Sequence, residues 1–579
     1  MFKMFKMLKM LKKRRAARVL AALAALALML SACGGGGAST TEAASTAGAD
    51  ATTAEAAAAT EADAAGAADA TTAAPAADGG GDEAKYGGTL YFGYPYDLSR
   101  PNYIITDDGP GNFVRDLAWD PMFVVNEKAE LVPRIAESYD MSDDGLTYTV
   151  HLRDGVKWQD GAPLTADDVL FYFDYYPRIE SVDKAYDYSN LTVEKVDELT
   201  VRFRLAEMDA TFAYTTLTLV IFLPSHIWKD IDPASWDQIA DLSRLIGNGP
   251  FVLAEREEGG YLRLDRFEDF WEHRPYLDSV VLQIIPDNDA RAMAFESKQV
   301  QLAMGNYQTT YMLLKDNPEY SFLLKPSANL GIFEVNHNDP LMSQLPMRKV
   351  VSYLIDRESL IMAQKNGATV LDSAFTPVDQ YYNPAVADPE AFEFSVDKAA
   401  AILDAEGWAP GADGIREKDG QRLQMEIMTS VTNDPNAVIL QDTFKKAGIE
   451  LTYRPVDSAV YSDLVYTTQE YQIAGTGSGP SVGPISANYE LVFTPSPYYN
   501  YDNPVVTQAF ADAKNSVDPA VQKQAFELIQ KTITEDRAQI LTWNTPRIWG
   551  TNSGLNVDDA GFSGIYPPWV DFSMVYFEK

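Results

Sequence analysis

A break in composition near residue 85 fixes what this chain can fold into. From Gly34 to Lys85 the sequence is Ala, Thr, Gly, Glu and Asp with almost no large apolar residue. Such a segment cannot bury enough surface to offset its ordering entropy, so it reads as a disordered tether with an average reach of about 40 Å. Everything able to build a core lies between Tyr86 and Lys579, too much chain for one core, so two or three lobes are expected. Cys33 is the single cysteine of 579 residues, which excludes an intramolecular disulfide and a thiolate metal cluster. The net charge is −36, and since leader and tether charges cancel, the folded part carries the whole surplus. A surface of that sign repels nucleic acid and keeps the protein soluble.

Ahead of the tether, Met1 to Arg18 holds eight basic residues and no acid, and Val19–Leu30 is an apolar run of 12 residues. A bilayer span needs roughly 20, so the pattern is an export leader. It ends in Leu30-Ser31-Ala32-Cys33, which resembles the lipobox of bacterial lipoproteins. The resemblance implies acylation of Cys33, with residues 1–32 as signal peptide and 33–85 as lipid-anchored tether. The expected location is extracytoplasmic, on the cell surface or the periplasmic face of the membrane.

In the folded part, strict alternation over Leu146–Arg153 after the turn Asp143-Asp144-Gly145 predicts a half-buried strand. Asp154-Gly155 then signals a hairpin, and Thr165 with Asp167 and Asp168 predicts a capped helix through Val169, Leu170, Phe173 and Tyr176. The stretch from Ala136-Glu137-Ser138-Tyr139 through Asp144–Trp158 and Asp160-Gly161 to Leu164–Val169 resembles the signature block of family 5 extracytoplasmic solute-binding proteins, the peptide- and nickel-type receptors of ABC importers. Gly247–Phe251, Phe270-Trp271, Asn336, Arg348, Ile355-Asp356-Arg357, Ala447–Leu451 and a final helix opened by Asp518-Pro519 resemble later blocks in the same order.

Physically, most of these residues are structural: Gly249-Pro250 shapes a turn, and Asp356-Arg357 is expected as a local ion pair or helix terminus. The resemblance implies a two-lobed, type II periplasmic-binding-protein-like α/β fold with an inserted subdomain. By order of blocks, lobe I takes 86–115, 226–320 and 545–579, the subdomain 116–225 and lobe II 321–544. It also implies hinge closure around a solute, a monomer, and ABC permease subunits as partners.

The sequence offers little competing chemistry. Gly479-Pro480-Ser481-Val482-Gly483 fits a hydrolase nucleophile elbow, but Pro484 and the glycines favour a cleft-lining loop; a secreted serine hydrolase is the alternative of another class. His151, His226, His273 and His337 are isolated, and no phosphate-binding G-x-x-x-x-G-K-[ST] loop occurs, so neither cofactor nor metal is expected.

Peptide receptors resembling this one hold the ligand's amino terminus with an Asp in a W-x-x-D-Y-x-D-P-like stretch. Here Gly475–Pro484 has neither that Asp nor the Trp, and Ser297-Lys298-Gln299-Val300-Gln301 departs from the family's S-G-E-I-D. Glu490 is a substitute anchor. Peptide ranks first as ligand, oligosaccharide second, metal chelate or another small molecule third. Loops after strands at a lobe interface line ligand pockets, which selects Tyr94, Tyr96, Trp119, Asn306, Thr476, Ser478, Ser481 and Tyr489 as candidate contacts.

Overall fold

Leu90, Phe92 and Tyr94 are buried and Tyr91 is turned outward in β1, Thr89–Tyr94. The computed structural model describes residues 83–579 apart from 99–101, 103–108, 127–129, 180–187, 305–309, 326, 365–366, 432–433, 479–486, 496–499, 553, 558–569 and 579. The leader, Cys33 and nearly all of the tether lie outside the described residues.

After β1, helix α1 (Gly109–Ala118) packs Phe113, Val114 and Leu117 into the first core. The chain then builds the subdomain: β2 (Ala136–Met141), β3 (Thr147–Leu152), α2 (Ala166–Tyr175), β4 (Leu191–Lys195), β5 (Thr200–Leu205) and α3 (Phe212–Leu219). Its antiparallel sheet has the order β2-β3-β5-β4. The expected strand is β3, with Tyr148, Val150 and Leu152 inward, and Thr165 caps α2 as expected.

Asp168 holds the signature block together from the first turn of α2. Its buried carboxylate accepts from the backbone N–H of Thr165 (3.0 Å), from Trp158 Nε1 (3.3 Å) and from the N–H of Ser225 (2.8 Å). Three donors on one carboxylate offset its desolvation.

The chain returns through β6 (Phe251–Glu257), β7 (Tyr261–Arg266), β8 (Ser279–Ile284), β9 (Leu302–Met304) and β10 (Tyr320–Lys325). It then crosses to a second sheet. There it forms β11 (Leu330–Val335), α4 (Leu345–Leu354), α5 (Arg357–Gln364), β12 (Thr369–Val370), β13 (Gln424–Thr429), α6 (Asn436–Lys446), β14 (Glu450–Pro455) and β15 (Ile473–Ser478). Helices α7 (Ala487–Phe493), α8 (Pro504–Lys514) and α9 (Pro519–Asp536) lead into β16 (Ile540–Asn544), and β17 (Arg547–Asn552) re-enters the first sheet. The sheet orders are β10-β17-β9-β1-β8-β7-β6 and β12-β16-β11-β15-β13-β14.

All six residues of β11 are buried, because its two faces feed two cores. Phe333 and Val335 meet Val350 and Leu440, while Leu330 and Ile332 meet Phe510 and Phe526. The first sheet and the subdomain instead share one continuous cluster, from Phe92 and Phe113 through Trp119 to Tyr148, Phe203 and Trp228. The result is a two-lobed α/β fold in which the subdomain is welded to the first sheet.

Candidate functional site

Strand direction locates the gap between the lobes. β1 runs parallel to β8 and β9, so Tyr94, Ile284 and Met304 end at one edge of the first sheet. The inner ends of β10 and β17 share it, since Met304 faces Trp549 and Lys325 faces Arg547. In the second sheet, β15 ends at Ser478 opposite Leu330, which in turn faces Asn544. Both crossings, 326–329 and Thr545-Pro546, join these two edges. Solutes of open α/β sheets bind beyond the carboxyl ends of strands, which here is the space the crossings span.

The crossings are tied to each other. Asn544 Nδ2 donates to the carbonyls of Ser327 (2.7 Å) and Asn329 (2.8 Å), and Ser327 Oγ donates to the carbonyl of Thr545. Ser327 and Asn544 are both buried.

Of the candidate contacts, Tyr94 and Tyr96 lie at this edge. The Tyr94 ring packs into the core against Phe113 at 4.9 Å, whereas Tyr96 is exposed and meets Tyr94 edge-on at 5.8 Å. Thr476 and Ser478 sit in β15 opposite Ile332 and Leu330. Asn306 and Ser481 lie outside the described residues.

Two candidates are placed elsewhere. Trp119 follows the far end of α1, under Gly247 and Gly249, next to Phe251 at the amino-terminal edge of the sheet. Tyr489 is buried in lobe II, stacked on Phe375 at 4.3 Å with its hydroxyl donating to Asp379 at 2.8 Å. Glu490 pairs with Lys514 at 2.8 Å, so its charge is already balanced.

The elbow motif, 479–483, lies outside the described residues. The histidines stay apart: His151 meets Asp140 (3.1 Å), His226 meets Asp160 (2.7 Å), and His337 donates to the carbonyl of Ala538 (2.8 Å). Among the described residues no group of three or more His, Cys, Asp or Glu could hold a metal, and no helix is long and apolar enough to cross a membrane.

Sequence reasoning missed a buried knot that explains several signature residues. Arg134 pairs with Asp120 (3.0 Å), Glu272 (2.7 Å) and Asp571 (3.8 Å). Trp271 Nε1 donates to Asp120 at 2.8 Å, and the Asn248 side-chain amide brackets the Asp120 backbone. The F-W and G-N-G-P blocks thus clamp the entry to the subdomain. Asp356 receives the N–H (3.1 Å) and hydroxyl (2.7 Å) of Ser359, a helix start, while Arg357 donates to the carbonyls of Leu541 and Ala391.

Residues 130–500 match the family model described as bacterial extracellular solute-binding proteins, family 5 middle. The chain belongs to that family. This family 5 protein is 26% identical over 472 residues to the oligopeptide-binding protein AppA of Bacillus subtilis, covering 78% of this chain and 85% of the relative. It is 26% identical over 356 residues to the nickel-binding periplasmic protein of Escherichia coli, covering 59% and 66%. Among solved structures it resembles the ABC transporter substrate-binding protein CtaP of Listeria monocytogenes (TM-score 0.75, 25% identity, 86% of this chain and 100% of that one). It also resembles NikA of Brucella suis in complex with Fe(III)-EDTA (TM-score 0.74, 20% identity, 85% and 100%), a likeness of fold alone. Family 5 proteins are extracytoplasmic binders of solutes rather than enzymes.

Proposed function

We propose that this chain is the lipid-anchored receptor of an ABC importer that captures an oligopeptide between its lobes and presents the closed form to the permease. The observation that carries this reading is the match along most of its length to an oligopeptide-binding protein. The gap between the carboxyl ends of β1, β8 and β9 and the end of β15 is the space such a ligand would fill. Hinge closure follows from the two tied crossings, which can bend while the cores on either side stay packed. Anchoring rests on Cys33 at the end of the export leader.

The proposed division puts lobe I at 86–115, 226–320 and 545–579, the subdomain at 116–225 and lobe II at 321–544. The pairing of β10 with β17 supports moving the first crossing to 326–329. A second reading, a neutral ligand such as an oligosaccharide, is favoured by the Glu490–Lys514 pair, which removes one free carboxylate from service as an amine anchor.

Mass spectrometry of whatever co-purifies with the full chain, followed by titration on its nine tryptophans, tests the reading. Peptides are expected to co-purify and to shift the fluorescence. A response to cello- or xylo-oligosaccharides with none to a peptide panel would overturn the choice of ligand and leave the receptor assignment standing.

A further inference from the structure

The subdomain touches lobe II at a place remote in sequence from both crossings. The N–H of Ala210, between β5 and α3, donates to the carbonyl of Lys514 at the end of α8 at 2.8 Å. Ala210 also packs against the lobe II core. Beside it, Val125 and Tyr214 of the subdomain close over Val378 of lobe II in a small apolar cluster of their own. A cavity of about 470 Å³ lies between the same two bodies, with Asp209 and Thr215 on one wall and Glu490 and Lys514 on the other.

Because the subdomain shares one core with the first sheet, these contacts connect two rigid bodies rather than two parts of one. Any swing about the crossings must break them. The cluster is small, with Val125 buried and Tyr214 and Val378 only partly covered, which suits a contact made and broken repeatedly. It needs no solute, since both of its sides are protein.

We propose that the inserted subdomain is a latch: Ala210, Val125 and Tyr214 seat on Val378 and Lys514 and hold the lobes together before any solute enters. The proposal rests on the hinge-closure reading above. Its consequence is that solute affinity is set partly at a surface the solute never touches. A protein already latched pays less to close, so its apparent affinity rises with the fraction latched.

The test uses the full chain with Cys33→Ser, which leaves no cysteine, and dyes placed at Lys229→Cys and Lys446→Cys, two exposed positions on opposite bodies. Single-molecule energy transfer without added solute then reads the open and closed populations. Val378→Asp and Tyr214→Ala, each at a half-exposed site of its own body, are expected to raise the open-to-closed ratio roughly tenfold. A separate Ala210→Cys/Lys514→Cys pair joined by a short crosslinker, with the bodies monitored by scattering, is expected to abolish the open form. If both single variants leave a two-population distribution unmoved, the latch is wrong while the hinge survives. A single fixed distance in every variant would sink the hinge reading itself.

Discussion

Asp116, on α1, has one carboxylate oxygen sealed from solvent without a hydrogen-bond partner among the described residues. Burial pushes its pKa from 3.8 to about 7, with the Arg115 charge pulling the other way. The unfolded chain therefore releases this proton at lower pH than the folded one. Its contribution to stability is complete below about 4 and is lost as the pH climbs through 7. Asp116→Asn keeps the shape and cannot ionise, so the urea midpoint is expected to fall less between pH 5 and 8 than in the wild type. Equal slopes would place the carboxyl in water. His337 works in the opposite sense. Burial lowers it to about 4, so its share of stability is full above about 6.5 and fades as the pH drops toward 4.

At the scale of elements, the contact between α1 and the turn before β6 is set by two glycines. A Cβ on Gly247 would overlap the Ala118 carbonyl oxygen and press on the Trp119 ring. Gly247→Ala is expected to cost about 3 kcal/mol in chemical denaturation, at the upper end of overpacking penalties. At Gly161, by contrast, φ is +89° with open space around it, so alanine there is expected to cost about 1 kcal/mol through the backbone alone. Local signals of this kind were legible in the chain: the alternation that became β3, the Thr165 cap, and Asp518 at the head of α9, whose side chain accepts from the Ala520 N–H at 2.9 Å. Family blocks in order conveyed the two-lobed fold. Individual contacts were not legible, because they depend on partners far along the chain. Nothing near Tyr489 announces that Phe375 and Asp379 will cover it, and nothing near Trp119 announces Gly247. The same distance hid the Arg134 knot, whose four acidic and aromatic partners span Asp120 to Asp571.

For the whole molecule, the two crossings behave mechanically as one strap because Asn544 donates to a carbonyl on the neighbouring pass at two points. Asn544→Ala would take the amide donor from the Ser327 carbonyl and leave that of Asn329 with the Thr545 N–H at 3.4 Å, and is expected to lower stability by about 1–3 kcal/mol in urea unfolding. A midpoint unchanged from the wild type would show that water replaces the amide freely. The return of β17 carries a different implication. It is wedged between β9 and β10, so those two strands have no neighbour to unite them until residue 552 has been made. Lobe II, lying wholly between the passes, can consolidate earlier. The half of the protein that is synthesised first thus completes its sheet only when its own last strand arrives.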